Sequence, residues 1–184
     1  MTSCRDVAIL ARAGFGDRAL GRTVVLAEGR DAVQPRVHYG KVSPGVLKVM
    51  GALSAHVHQS GLEPALLELV KMRASQLNGC AYCLDMHAKD ARAAGEREQR
   101  LYLLDAWREA PCYTGRERAA LAWTEAVTLV AVDHVPDAVY AEARGQFDEQ
   151  ELVDLTLAIV EINGWNRLSI AFRSQAGTYQ PRPR

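Results

Sequence analysis

From Pro35 onward, apolar residues recur at intervals of three and four, and no stretch alternates in the manner of a strand. Ser43-Pro44 places an N-cap before a proline at the first helical position. Val46, Leu47, Met50, Leu53 and Val57 follow on one face, up to Gly61. A second helix starts at Glu63-Pro64, carries Leu66, Leu69, Val70, Arg73 and Leu77, and meets a stop at Asn78-Gly79. The third runs from Cys80 to Gly95 and the fourth from Glu96 to Glu109, ahead of Pro111. Thr114 caps a fifth over Gly115 to Val130, and Pro136 opens a short sixth. Asp148 caps a long last helix bearing Leu152, Leu155, Ile159, Ile162 and Ile170. The pattern predicts an all-α fold, a bundle of about six or seven helices.

Residues 1–34 read differently. Gly14, Gly16, Gly21 and Gly29 punctuate them and no helical period persists; only Thr23 to Ala27 has strand character. This stretch is expected to be a poorly ordered extension, followed by one domain over 35–175 and a tail over 176–184 that frays from Gln180 onward. Within the domain, Leu67 to Gly79 and Leu152 to Gly164 echo one another. Leu67, Val70, Leu77 and Asn78-Gly79 match Leu152, Leu155, Ile162 and Asn163-Gly164. An old duplication and two amphipathic helices that both end in Asn-Gly account for the echo equally well.

Composition narrows the function. A chain of 184 residues suits one compact domain. Its 22 basic and 22 acidic residues leave no net charge, so nucleic acid is not an expected partner. No apolar run approaches the roughly 20 residues that cross a bilayer. The first residues lack a secretory pattern, so a cytoplasmic setting is expected, where thiols stay reduced. Cys4, Cys80, Cys83 and Cys112 are too few and scattered for a disulfide framework.

Two of those cysteines are spaced for chemistry. On a helix, positions 80, 83 and 87 fall within about 60° of one another, so both thiols and the His87 imidazole share a face. The Cα atoms of residues three apart lie near 5 Å, inside the range a disulfide accepts. The Asn-Gly break puts the pair at a helix start, where the unpaired N–H groups favour a thiolate. His87 can hold a proton near neutral pH. Glu68, on the preceding helix, can reach the same place and form a proton relay with the imidazole. A zinc site built from these four residues and a pair of plain buried thiols are the competing readings. Cys112, Cys4, His56, His58, Asp133 and His134 receive no role, and Trp123 and Trp165 read as core or interface aromatics.

Glu68, Asn78-Gly79, Cys80-x-x-Cys83 and His87 together resemble the AhpD-like alkylhydroperoxidases of the carboxymuconolactone decarboxylase family, over about residues 35 to 175. The resemblance implies the AhpD-like helical bundle, assembled as a trimer or hexamer, and the reduction of hydrogen peroxide or organic peroxides. It implies that Cys83 is the peroxidatic thiol, that Cys80 resolves its sulfenic acid as a disulfide, and that Glu68 and His87 relay protons to and from Cys83 and the leaving hydroxide or alkoxide. A lipoyl-bearing or thioredoxin-like dithiol resets the pair, and no cofactor or metal is called for. Dipole logic alone favours Cys80 as the nucleophile, whereas His87 favours Cys83. Tyr82 departs from the family pattern, which places a histidine before the second cysteine. Two alternatives remain: a decarboxylase or lyase using Glu68 and His87 on a small acid or lactone, and a non-catalytic redox or metal-binding module.

Overall fold

The computed structural model describes residues 34–181. The expected extension, apart from Gln34, lies outside the described residues, together with Cys4, Thr23 to Ala27 and the last three positions of the tail. The described chain is all-helical and contains no strand. In order it forms α1 (Tyr39–Val42), α2 (Pro44–His58), α3 (Pro64–Asn78), α4 (Ala81–Ala93), α5 (Glu98–Leu103), a 3-10 turn (Leu104–Ala106), α6 (Gly115–Thr128), α7 (Val130–Asp133), α8 (Asp137–Arg144) and α9 (Glu149–Phe172). None of these helices is long and apolar enough to cross a membrane.

Caps fix the ends where the sequence predicts them. Thr114 and Asp148 each accept from the N–H of a glutamate three residues on, Glu117 and Glu151, whose carboxylates bond back to the cap. Two departures have physical causes. Helices α1 and α7 have four residues each, too few to show a period. The helix predicted over 96–109 breaks after Leu103. Its buried residues are Leu101, Leu104, Trp107 and Ala110, a spacing of three. That is the repeat of a 3-10 turn, and it aims Trp107 at the core, where its indole N–H donates to Glu125 at 2.7 Å.

Helix α3 occupies the middle and packs against α4, α6 and α9. Its Leu66, Leu67 and Val70 join Ala119, Ala120 and Trp123 of α6 and Leu155 and Ile159 of α9 in one core. Helix α2 contributes only Val57 as a fully buried residue; Leu47 and Val49 stay exposed beside Val42.

The echoed dipeptides behave in opposite ways. Asn78-Gly79 ends α3: Gly79 takes φ 69°, and the Cys80 N–H reaches back to the Ser75 carbonyl at 2.9 Å. Asn163-Gly164 passes through the middle of α9, and Gly164 lies so close to Met50 that a Cβ there would approach the Met50 Cε to 3.0 Å. The two helices meet at these asparagines. Asn78 Nδ2 donates to Asn163 Oδ1 at 2.9 Å and to Asn166 Oδ1 at 2.8 Å, and Asn166 Nδ2 donates to Ser75 Oγ at 3.0 Å.

Candidate active site

The turn that stops α3 starts α4. Cys80 is the N-cap of α4, in an extended conformation, and its carbonyl accepts the Leu84 N–H at 3.0 Å. Cys83 falls in the first turn and His87 one turn later. Because α3 packs along α4, Glu68 meets the imidazole, with Glu68 Oε2 2.9 Å from His87 Nδ1. Both sulfurs are buried, each residue 1% exposed, in a cluster with Ala74 and Ile162 beneath Tyr82 and Trp165. The four residues singled out in the sequence therefore lie at one junction of α3, α4 and α9.

A cavity of about 660 Å³ opens at this junction. Cys83, His87 and Glu68 line it, together with the apolar Leu47, Met86 and Trp165 and the phenols of Tyr39, Tyr82 and Tyr179. Cys80 is not part of that wall. Cys83 is thus the sulfur a ligand meets, and Cys80 backs it.

The two thiols divide the charge between them. The Cys83 thiol donates to Cys80 and, with the amide N–H groups of Cys83 and Tyr82, outweighs burial and pulls Cys80 down to about 7. The same contact, burial and the Cys80 charge push Cys83 up, although the Asn166 amide and the Ser169 hydroxyl oppose this. One proton leaves the pair easily and the second is held. A titration of thiolate absorbance is expected to show one thiolate forming near pH 7. In a Cys83→Ala variant that step moves to higher pH, because the largest contribution lowering Cys80 is gone. An unchanged midpoint would refute the sharing. Burial raises the Tyr82 phenol, so Tyr82 cannot take the part of a base near neutrality.

The sequence reading passed over several residues here. Asn166 and Ser169 stand behind the sulfurs, and both are fully buried. Their signal was spacing: they follow Ile162 at four and seven residues on an otherwise apolar stripe. On the same wall, Lys71 and Glu161 form an ion pair only 3% and 2% exposed, with Lys71 Nζ 3.4 Å from Glu161 Oε2. Glu161 Oε1 accepts from Ser54 Oγ and, at 2.9 Å, from Trp165 Nε1. Oε2 makes no hydrogen bond. His58 stands at the cavity rim, its pKa lowered by burial and then by the Lys71 charge. Lys71 lies three residues after Glu68, so both point from one face of α3.

The residues after α9 close the remaining side. The Gly177 N–H donates to Asp85 at 2.9 Å, Lys89 Nζ donates to the Tyr179 carbonyl at 2.9 Å, and Tyr179 OH donates to Asp90 at 2.8 Å. Pro181 also lines the wall. Cys112 stays outside the site as a half-buried free thiol before α6, and His56 and His134 are exposed. Trp123 sits in the core, with its Nε1 donating to Thr156 at 2.9 Å. Among the described residues, no group of three His, Cys, Asp or Glu side chains is arranged to hold a metal ion.

An all-helical domain with a paired-cysteine turn beside a glutamate and a histidine defines a recognisable class, and residues 44–126 match the carboxymuconolactone decarboxylase family. An uncharacterized Bacillus subtilis protein, YdfG, is 45% identical over 143 residues, covering 78% of this chain and 97% of its own length. The crystal structure of ATU0492 from Agrobacterium tumefaciens, a protein of unknown function placed provisionally with the antioxidant defence protein AhpD, superposes with a TM-score of 0.77. It is 44% identical and covers 79% of this chain and all of that one. The debrominase Bmp8 shares the fold at 20% identity and a TM-score of 0.68, covering 75% of this chain and 74% of its own. The chain belongs to the carboxymuconolactone decarboxylase family, a family related to the alkylhydroperoxidases.

Proposed function

We propose that this chain is a thiol peroxidase that reduces hydrogen peroxide or organic hydroperoxides. The observation that carries the reading is the shared cavity: Cys83, His87 and Glu68 line it together, while Cys80 touches Cys83 from behind. Glu68 fixes His87 through Nδ1, which leaves Nε2 to take the Cys83 proton. The Cys83 thiolate attacks the outer peroxide oxygen; an S–O bond forms, the O–O bond breaks, and Cys83 becomes a sulfenic acid. Cys80 attacks that sulfur as the thiolate, the S–S bond forms and the S–O bond breaks; the departing hydroxide takes from solvent the proton that Cys80 gave up and leaves as water. A lipoyl-bearing or thioredoxin-like dithiol then restores both thiols by exchange. A trimer or hexamer and a cytoplasmic setting belong to this reading. Neither a metal nor an organic cofactor enters any step.

The lyase alternative is weaker. A small acid would enter a cavity walled by the carboxylates of Glu68, Asp90 and Glu161 against the single ammonium of Lys71. The test is direct. Reduced protein exposed to cumene hydroperoxide is expected to lose the Cys80 and Cys83 thiols together, and mass spectrometry should find the 80–83 disulfide. Intact thiols after oxidant would remove the reading.

A further inference from the structure

The Glu68–His87 pair accounts for the proton that Cys83 gives up. The resemblance routes the departing oxygen's proton through the same pair, but a second cation on the cavity wall is placed to supply it. We propose that Lys71, held in place by Glu161, is that proton donor. The inference rests on the peroxidase reading and assigns a further catalytic residue within it.

Three observations carry it. Lys71 is buried and lines the same cavity as Cys83, on the same face of α3 as Glu68. Among the described residues its only charged partner is Glu161 at 3.4 Å, an ion-pair distance at which Glu161 Oε2 still lacks a hydrogen bond. The ammonium therefore keeps N–H donors for a ligand. The carboxylate that holds it is itself fixed, because Ser54 and Trp165 both donate to Oε1. A buried charge pair of this kind contributes little to stability compared with apolar side chains of the same shape. Its chemistry is thus a better account of the pair than its packing.

The step balances. The Cys83 thiolate attacks the outer oxygen of R–O–O–H, the S–O bond forms, and the O–O bonding pair leaves on the RO oxygen. Cys83–S–OH keeps the peroxide hydrogen. Lys71 Nζ gives one proton to RO⁻, and ROH leaves. The lysine amine then recovers a proton from solvent, replacing the one Cys83 released through His87. Glu161 is a positioning residue in this scheme, since it acts only through Lys71.

Leaving-group dependence tests the assignment. tert-Butyl hydroperoxide expels an alkoxide, which needs the proton. Peracetic acid expels acetate, which does not. Lys71→Met strands the Glu161 charge, so the double variant Lys71→Met/Glu161→Gln, neutral at both positions, is measured beside it. Loss of a general acid costs on the order of 100-fold or more, so kcat/KM for tert-butyl hydroperoxide should fall by about that factor. Peracetic acid turnover should stay within about threefold of wild type, because its leaving group needs no general acid. Equal losses on both oxidants would assign Lys71 a structural part only and overturn the inference, leaving the peroxidase reading intact. A wild-type protein that consumes neither oxidant would overturn both.

Discussion

Cys83→Ser is expected to abolish peroxide consumption, whereas Cys80→Ser should permit one oxidation per chain and then stall. The asymmetry follows from placement. Cys83 is the sulfur on the cavity wall, one helical turn from His87, and Cys80 has no share of that wall. A serine hydroxyl at 83 cannot attack the O–O bond at a useful rate, so turnover should fall by at least about three orders of magnitude, as when a nucleophile is deleted elsewhere. With Cys80 gone, the sulfenic acid on Cys83 still forms but has no neighbour to condense with. Dimedone labelling should therefore mark Cys83 in the Cys80→Ser protein and nothing in the Cys83→Ser protein. Labelling of Cys80 instead would reverse the two roles. The lowered pKa of Cys80 and the raised pKa of Cys83 do not oppose this order. The resting thiolate on Cys80 depends on the Cys83 thiol, so the peroxidase reading requires the Glu68–His87 pair to draw the proton from Cys83 for the first step, after which Cys80 attacks.

The second large effect concerns stability. Lys71→Met alone leaves a carboxylate 2% exposed with no cation beside it, and truncating one partner of a buried pair costs about 3–5 kcal/mol. In Lys71→Met/Glu161→Gln the charge is gone, and the glutamine carbonyl can keep the Ser54 and Trp165 hydrogen bonds, so most of that loss should return. Urea unfolding of the two variants checks this. A double variant no more stable than the single one would mean that shape, not charge, holds α3 against α9 here.

Much of this was legible in the chain. The Thr114 and Asp148 caps, the Asn78-Gly79 stop and the Glu68, Cys80, Cys83 and His87 spacing depend on neighbours a few residues away, and the helices begin, end and meet accordingly. Contacts between distant segments were not legible. The long last helix was legible through Ile170, but not what packs where it passes Asn163-Gly164: Met50 lies against Gly164 and Asn78 bonds to Asn163, both from other helices. Lys71 and Glu161 look like solvated helix residues until α9 crosses α3. Asp85, Lys89 and Asp90 look like an ordinary charged face until residues 177–179 settle on it. The 3-10 turn at Leu104–Ala106 was present as a three-residue spacing, but a four-residue alternative fitted part of the same stretch.

The strip from Gly177 to Pro181 gives the chamber a wall made of chain rather than helix. Helical walls can be changed only by repacking a core, and a wall of this kind can be lengthened, shortened or rewritten residue by residue. In the peroxidase reading, the breadth of oxidants admitted is therefore the most easily edited property of the protein.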